Sequence, residues 1–167
     1  MIVRVLGAAL IAGAATACTS VPPLSAPESV TLEVGPCHGH CPVYQTQIEA
    51  SGAGWFKGER NTYVVGTSPL KSSPQLYRQL EQLLTPLQPK QGQVIYDQST
   101  CRPFATDQSQ LRVVWSAPGH AARELNFDLG CHDPRYAVVR ARLEAALRLL
   151  PISDLIRSSN PRKRSAR

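Results

Sequence analysis

Cysteines stand at positions 18, 37, 41, 101 and 131, and their placement constrains the fold more than any other feature of this chain. Cys18 closes an apolar leader. Cys37 and Cys41 form a tight C-x-x-x-C, and Cys101 and Cys131 lie far from that pair. In an oxidising compartment four cysteines form an even set able to cross-link a domain, and a fifth needs its own explanation. A Cys37–Cys41 bond closes a very small loop and contributes only about 2 kcal/mol on the chain-entropy account, so it shapes the loop more than the fold. A Cys101–Cys131 bond closes a loop of about 31 residues, worth roughly 3.5 kcal/mol on the same account. The sequence is also compatible with the two other pairings of these four residues.

The leader explains the odd cysteine. Arg4 supplies an early positive charge, Val5 to Ala15 is a short apolar core, and Ala15-Thr16-Ala17 precedes Cys18. These are the parts of a secretory signal over residues 1–17. The apolar run is shorter than the roughly 20 residues a membrane span needs. Ala15-Thr16-Ala17 suits ordinary signal peptidase. With Cys18 it resembles a bacterial lipobox, in which Cys18 is lipidated with acyl chains such as palmitate and becomes the first mature residue. Lipidation would leave an even number of thiols. Residues 18–28 then read as a lipidated cysteine and a Pro- and Ser-rich flexible tether. Thr19, standing where Asp marks inner-membrane retention, favours an outer-membrane lipoprotein facing the periplasm. The alternative is a soluble periplasmic or secreted domain in which Cys18 is an ordinary residue.

The net charge of +6 suggests nucleic acid, but its distribution argues otherwise. Arg4 lies in the leader, and Arg157, Arg162, Lys163, Arg164 and Arg167 lie in the last eleven residues. Without those six, twelve basic residues face twelve acidic ones, so the body is formally neutral. Residues 157–167 read as a basic disordered tail able at most to touch anionic lipid. No basic-aromatic pattern marks a nucleic-acid surface. The partners expected are a membrane, through the lipid anchor, and an envelope protein or other envelope component.

Residues 29–156 read as a single globular domain. Ser29 to Val34 alternates as a half-buried strand. Val43 to Glu49, Trp55 to Lys57 and Asn61 to Thr67 read as further strands, with Ser51 to Gly54 as a turn and Gly58 as a separator. Ser73 caps a helix with Pro74 in its first turn and Leu76, Leu80, Leu83 and Leu87 at helical spacing, and Pro86 interrupts it. Val94 to Tyr96 is a short strand. Leu111 to Ser116 and Glu124 to Leu129 form a second hairpin. Asp133-Pro134 opens a last helix whose apolar face is Tyr136, Val139, Leu143, Leu147 and Leu150, and Pro151 stops it. The pattern predicts an α+β domain, a mainly antiparallel sheet with two helices packed on one face.

Chemistry concentrates in Pro36-Cys37-His38-Gly39-His40-Cys41-Pro42. A structural disulfide is the reading that suits the compartment. Copper or zinc held by Cys37, His38, His40 and Cys41 is the alternative, since thiolate and imidazole suit those metals. C-x-x-x-C-P resembles copper-chaperone loops of the Sco type in that string alone, because the thioredoxin-like βαβ order is absent. A redox pair is a third reading, against which stand the spacing and the strand that follows Pro42. His132 adjoins Cys131. Asp107, Asp128 and Asp133 read as turn and cap residues. The chain has no G-x-S-x-G, H-E-x-x-H or P-loop pattern, so neither an enzyme nor a cofactor is expected.

Pro36-Cys37-His38-Gly39-His40-Cys41-Pro42-Val43-Tyr44 resembles the P-C-x-G-x-C-P-x-Y motif of a bacterial family named domain of unknown function 6438. The following Gly-rich hairpin (Gly52 to Gly58), the helix opening at Ser73-Pro74 and Ala105-Thr106-Asp107 ahead of a strand also resemble the family pattern, over roughly Ser29 to Leu150. His38 departs from the aromatic residue expected before the glycine. The resemblance implies a small secreted or lipid-anchored protein and no particular activity.

Overall fold

The computed structural model describes residues 28–156. The expected signal peptide over 1–17, Cys18 and the expected tail over 157–167 lie outside the described residues, as does all of the expected tether except Glu28. The strands are β1 (Ser29–Val34), β2 (Val43–Glu49), β3 (Gly54–Arg60), β4 (Gly66–Pro69), β5 (Gln93–Tyr96), β6 (Gln110–Ser116) and β7 (Arg123–Asp128). They form one seven-stranded sheet in the order β4-β3-β2-β1-β6-β7-β5. All pairings are antiparallel except β5 with β7. The fold is the expected α+β class.

Alternation decides which face is covered. Val30, Leu32, Ile48, Phe56, Leu111, Val113, Trp115, Leu125 and Phe127 are buried on one face. Burying each Val, Leu, Ile or Phe contributes about 1.5–3 kcal/mol. Helices α1 (Pro74–Leu84) and α2 (Ala137–Leu149) join the same core through Tyr77, Leu80, Leu84, Leu143 and Ala146. The other face is polar: Arg112 there pairs with both oxygens of Glu124, at 3.0 and 2.8 Å, and with Glu33 at 3.2 Å.

The expected caps are present. The Leu76 N–H donates to the Ser73 hydroxyl (3.1 Å), and Arg142 of α2 donates to the Gln82 and Leu83 carbonyls near the end of α1. A 3-10 turn at Thr85–Leu87 follows α1, since Pro86 cannot continue the ladder. A 3-10 turn at Pro134–Tyr136 precedes α2, and a short helix α3 (Ser153–Ile156) follows Pro151.

Two strand expectations are corrected. Gly58 does not separate strands; it lies inside β3, opposite Tyr44. A Cβ there would run into the Val64 carbonyl and the Thr62 hydroxyl, so only glycine fits. Residues 61–65 form a turn rather than the start of a strand, because Tyr63 and Val64 donate their N–H groups to the Leu155 carbonyl in α3. β5 is also parallel to β7 within an otherwise antiparallel sheet. α1 carries the chain from β4 at one edge of the sheet to β5 at the other, and that crossing sets its direction.

The registers divide the molecule into two ends. Glu28, the β2–β3 turn and the β6–β7 hairpin lie at one end, where the Glu28 N–H donates to the Ser116 carbonyl (2.9 Å). The 35–42 loop, the 61–65 turn, the 97–109 segment and residues 129–136 lie at the other.

Candidate functional site

All four body cysteines fall at the end away from Glu28. Cys37 is bonded to Cys41 (Cα–Cα 5.8 Å) and Cys101 to Cys131 (Cα–Cα 5.4 Å). Cys101 and Cys131 are buried, whereas the small loop is open, with His38 and His40 exposed. Gly39, at φ 135°, holds a backbone conformation that glycine adopts readily.

The small loop is held from both sides. Gly35 donates its N–H to the Gln110 carbonyl (2.8 Å), and His38 donates its N–H to the Asp107 carbonyl (3.1 Å). On the opposite flank the Asn61 side-chain amide donates to the Cys41 carbonyl at 3.0 Å. Asn61 (φ 56°) and Asp107 (φ 67°) both take left-handed backbone, which Asn and Asp tolerate better than other side chains. Beneath the loop, Tyr44 is buried and stacks on Phe56 with ring centroids 5.6 Å apart. Burial pushes its phenol up to about 12, so this hydroxyl stays protonated at any physiological pH. The last residue of the nine-residue motif is thus a core anchor.

The second disulfide braces the segment that carries Asp107. Ala105 donates to the Gly130 carbonyl (2.8 Å), His132 to the Pro103 carbonyl (3.1 Å) and Leu129 to the Ser109 carbonyl (2.9 Å). A Cβ on Gly130 would strike the Ala105 carbonyl, so the two segments approach as closely as glycine allows. Arg140 of α2 donates to the Leu129 carbonyl through two nitrogens, at 2.8 and 2.7 Å, and to the Cys131 carbonyl at 3.2 Å.

Asp133 is the expected helix cap and does more. It is nearly buried and accepts from the Arg135 guanidinium, nearest at 2.6 Å, from the Arg102 N–H at 2.9 Å and from the Arg135 N–H at 3.0 Å. Those bonds hold its carboxyl well below the usual carboxylate range, the Arg135 side chain contributing most and the Arg102 N–H next. Asp128 accepts from the Gly130 N–H at 2.8 Å, again a turn role.

The four residues of the metal reading, Cys37, His38, His40 and Cys41, share the open loop. With the sulfurs bonded to each other, no thiolate is presented. Among the described residues no group of three or more His, Cys, Asp or Glu is placed to hold a metal ion. His132 is exposed beside the second disulfide. Asn61, Gln110 and Arg140 were not singled out by sequence. Asn61 carried the only local signal, a residue tolerant of left-handed backbone inside a β-branched run.

A family model described as domain of unknown function (DUF6438) matches residues 28–144, well over half of the chain. No curated protein and no solved structure matches.

Proposed function

We propose that this chain, which belongs to the domain of unknown function (DUF6438) family, is a non-enzymatic binding module of the bacterial envelope. In this reading a lipid on Cys18 anchors it in the outer membrane, facing the periplasm, and its disulfide-bearing end meets an envelope protein. The observation that carries the reading is the strand register, which separates Glu28, where the tether joins, from both disulfides. A tethered domain built this way would turn its disulfide end away from the anchor.

That end also exposes apolar side chains. Tyr63 is 60 % exposed, Val65 71 % and Val138 66 %, and all three belong to the 61–65 turn or the first turn of α2. Exposed aromatic and aliphatic side chains are typical of protein-binding surfaces, and His38, His40 and His132 are exposed at the same end. Disulfides that fix the loops lower the ordering cost of association.

Photo-crosslinking in intact envelopes tests the reading. A photoreactive residue at Tyr63, Val65 or His40 should trap a discrete protein, and one at Ser51 should not. A protein trapped from Ser51 alone would overturn the proposal. The competing metal or thiol-handling role requires a reduced loop. Denatured, unreduced protein should present no reactive thiol from Cys37 or Cys41. Two such thiols, with copper or zinc retained on purification, would replace binding by metal handling.

A further inference from the structure

The end where the tether joins has a feature of its own. The turn before β5 and the β6–β7 hairpin border an open cavity of about 170 Å³ whose lining includes Lys90, Gly92, Ala117, His120 and Arg123. No carboxylate lines it. Among the described residues neither Lys90 nor Arg123 forms an ion pair. Glu124, next to Arg123 in sequence, points to the opposite face of the sheet, where it is bonded twice to Arg112. With its amide turned so that the oxygen faces the guanidinium, Gln88 accepts from Arg123 Nη2 at 2.8 Å and Nε at 3.2 Å. Arg123 is therefore oriented by a neutral partner, and its charge is left uncompensated at the cavity.

The cavity is also beside the point of entry. The Glu28 N–H bonds to the Ser116 carbonyl, and Ala117, the next residue, lines the cavity. Nine residues separate Cys18 from Glu28 and span at most about 35 Å, so an anchor at Cys18 keeps this end close to the bilayer.

We infer that the Lys90–His120–Arg123 cavity binds the phosphate of an anionic phospholipid headgroup, seating the domain on its membrane. A planar guanidinium held from one side presents its free N–H groups to phosphate oxygens, and a lysine ammonium supplies a second point charge. The orientation rests on the Cys18 reading; the chemistry of the cavity does not.

The test uses the full chain carrying Cys18→Ser, so that no lipid anchor contributes. Its binding is measured to vesicles of phosphatidylcholine alone and to vesicles containing one third phosphatidylglycerol. Wild-type residues at the cavity should favour the anionic vesicles. Lys90→Gln with Arg123→Gln should weaken that binding about thirtyfold, the scale expected for two lost cation contacts at an anionic surface. Lys57→Gln with Arg60→Gln removes the same charge elsewhere and should leave binding unchanged. Equal losses in the two double variants, or no loss in the first, would overturn the inference. Inorganic phosphate that shifts the NMR resonances of Arg123, without vesicle binding, would overturn the membrane source in favour of a free anion. Superimposable thermal melts exclude a folding defect. Palmitate labelling of wild type and Cys18→Ser tests the anchor separately, and either result can fail alone.

Discussion

Asn61 joins two demands in one residue. Its left-handed backbone closes the turn after β3, and its amide holds the Cys41 carbonyl at 3.0 Å. Asn61→Ala should cost about 2 kcal/mol, roughly one for the hydrogen bond and one for the strained backbone. Asn61→Gly should recover the backbone part, and urea unfolding of the three proteins separates the two. Asp133 makes a pH prediction. Its folded carboxyl titrates below its ordinary value of 3.8, so its contribution to stability is complete above that value. The contribution is lost as pH falls from 3.8 through the lower folded value. Asp133→Asn should lower Tm at pH 7 and flatten that part of the acid dependence; an unchanged Tm at pH 7 would contradict its role as a junction. The cap was legible from Asp-Pro before an apolar stripe. The Arg102 contact was not, because it joins residues 31 apart through a fold that local patterns do not describe.

The disulfides differ in what they hold. Replacing both Cys101 and Cys131 by Ser should cost roughly 3.5 kcal/mol, and replacing Cys37 and Cys41 about 2 kcal/mol or less, read as shifts in urea midpoint. The long-range bond also fixes the segment whose Asp107 carbonyl receives the His38 N–H, so its loss should raise hydrogen exchange at His38 as well as near Ala105. Exchange at His38 that stays slow would contradict that chain of support. Strands with a buried face were legible because alternation of Val30, Leu32 and Val34, or of Leu111, Val113 and Trp115, reports burial directly. The run at 61–65 misled for the opposite reason. Its β-branched and aromatic residues suit a strand, yet Tyr63 and Val64 find their acceptor at Leu155, some ninety residues on. The parallel direction of β5 was likewise invisible, since a four-residue strand encodes no direction and the path of α1 across the sheet sets it.

At the scale of the whole molecule, a sheet covered on one face by α1 and α2 holds two unlike ends apart. One holds Glu28 and carries an uncompensated cationic cavity; the other carries both disulfides and exposed Tyr63, Val65 and Val138. The α+β class and the bonded loop at 37–41 were legible in the sequence. The assembly of four cysteines at one end was not, because it depends on strand order, which brings residues before β6 and after β7 beside the turn after β1. The proposed role requires that this assembly face away from the anchoring membrane. Fluorescence quenching by a lipid-borne quencher tests that most directly, with a fluorescent amino acid at Ala122 on the β6–β7 hairpin or at His40 on the disulfide loop of the lipidated chain in vesicles. Strong quenching at Ala122 and little at His40 is the result predicted; equal quenching at both, or stronger quenching at His40, would contradict the account.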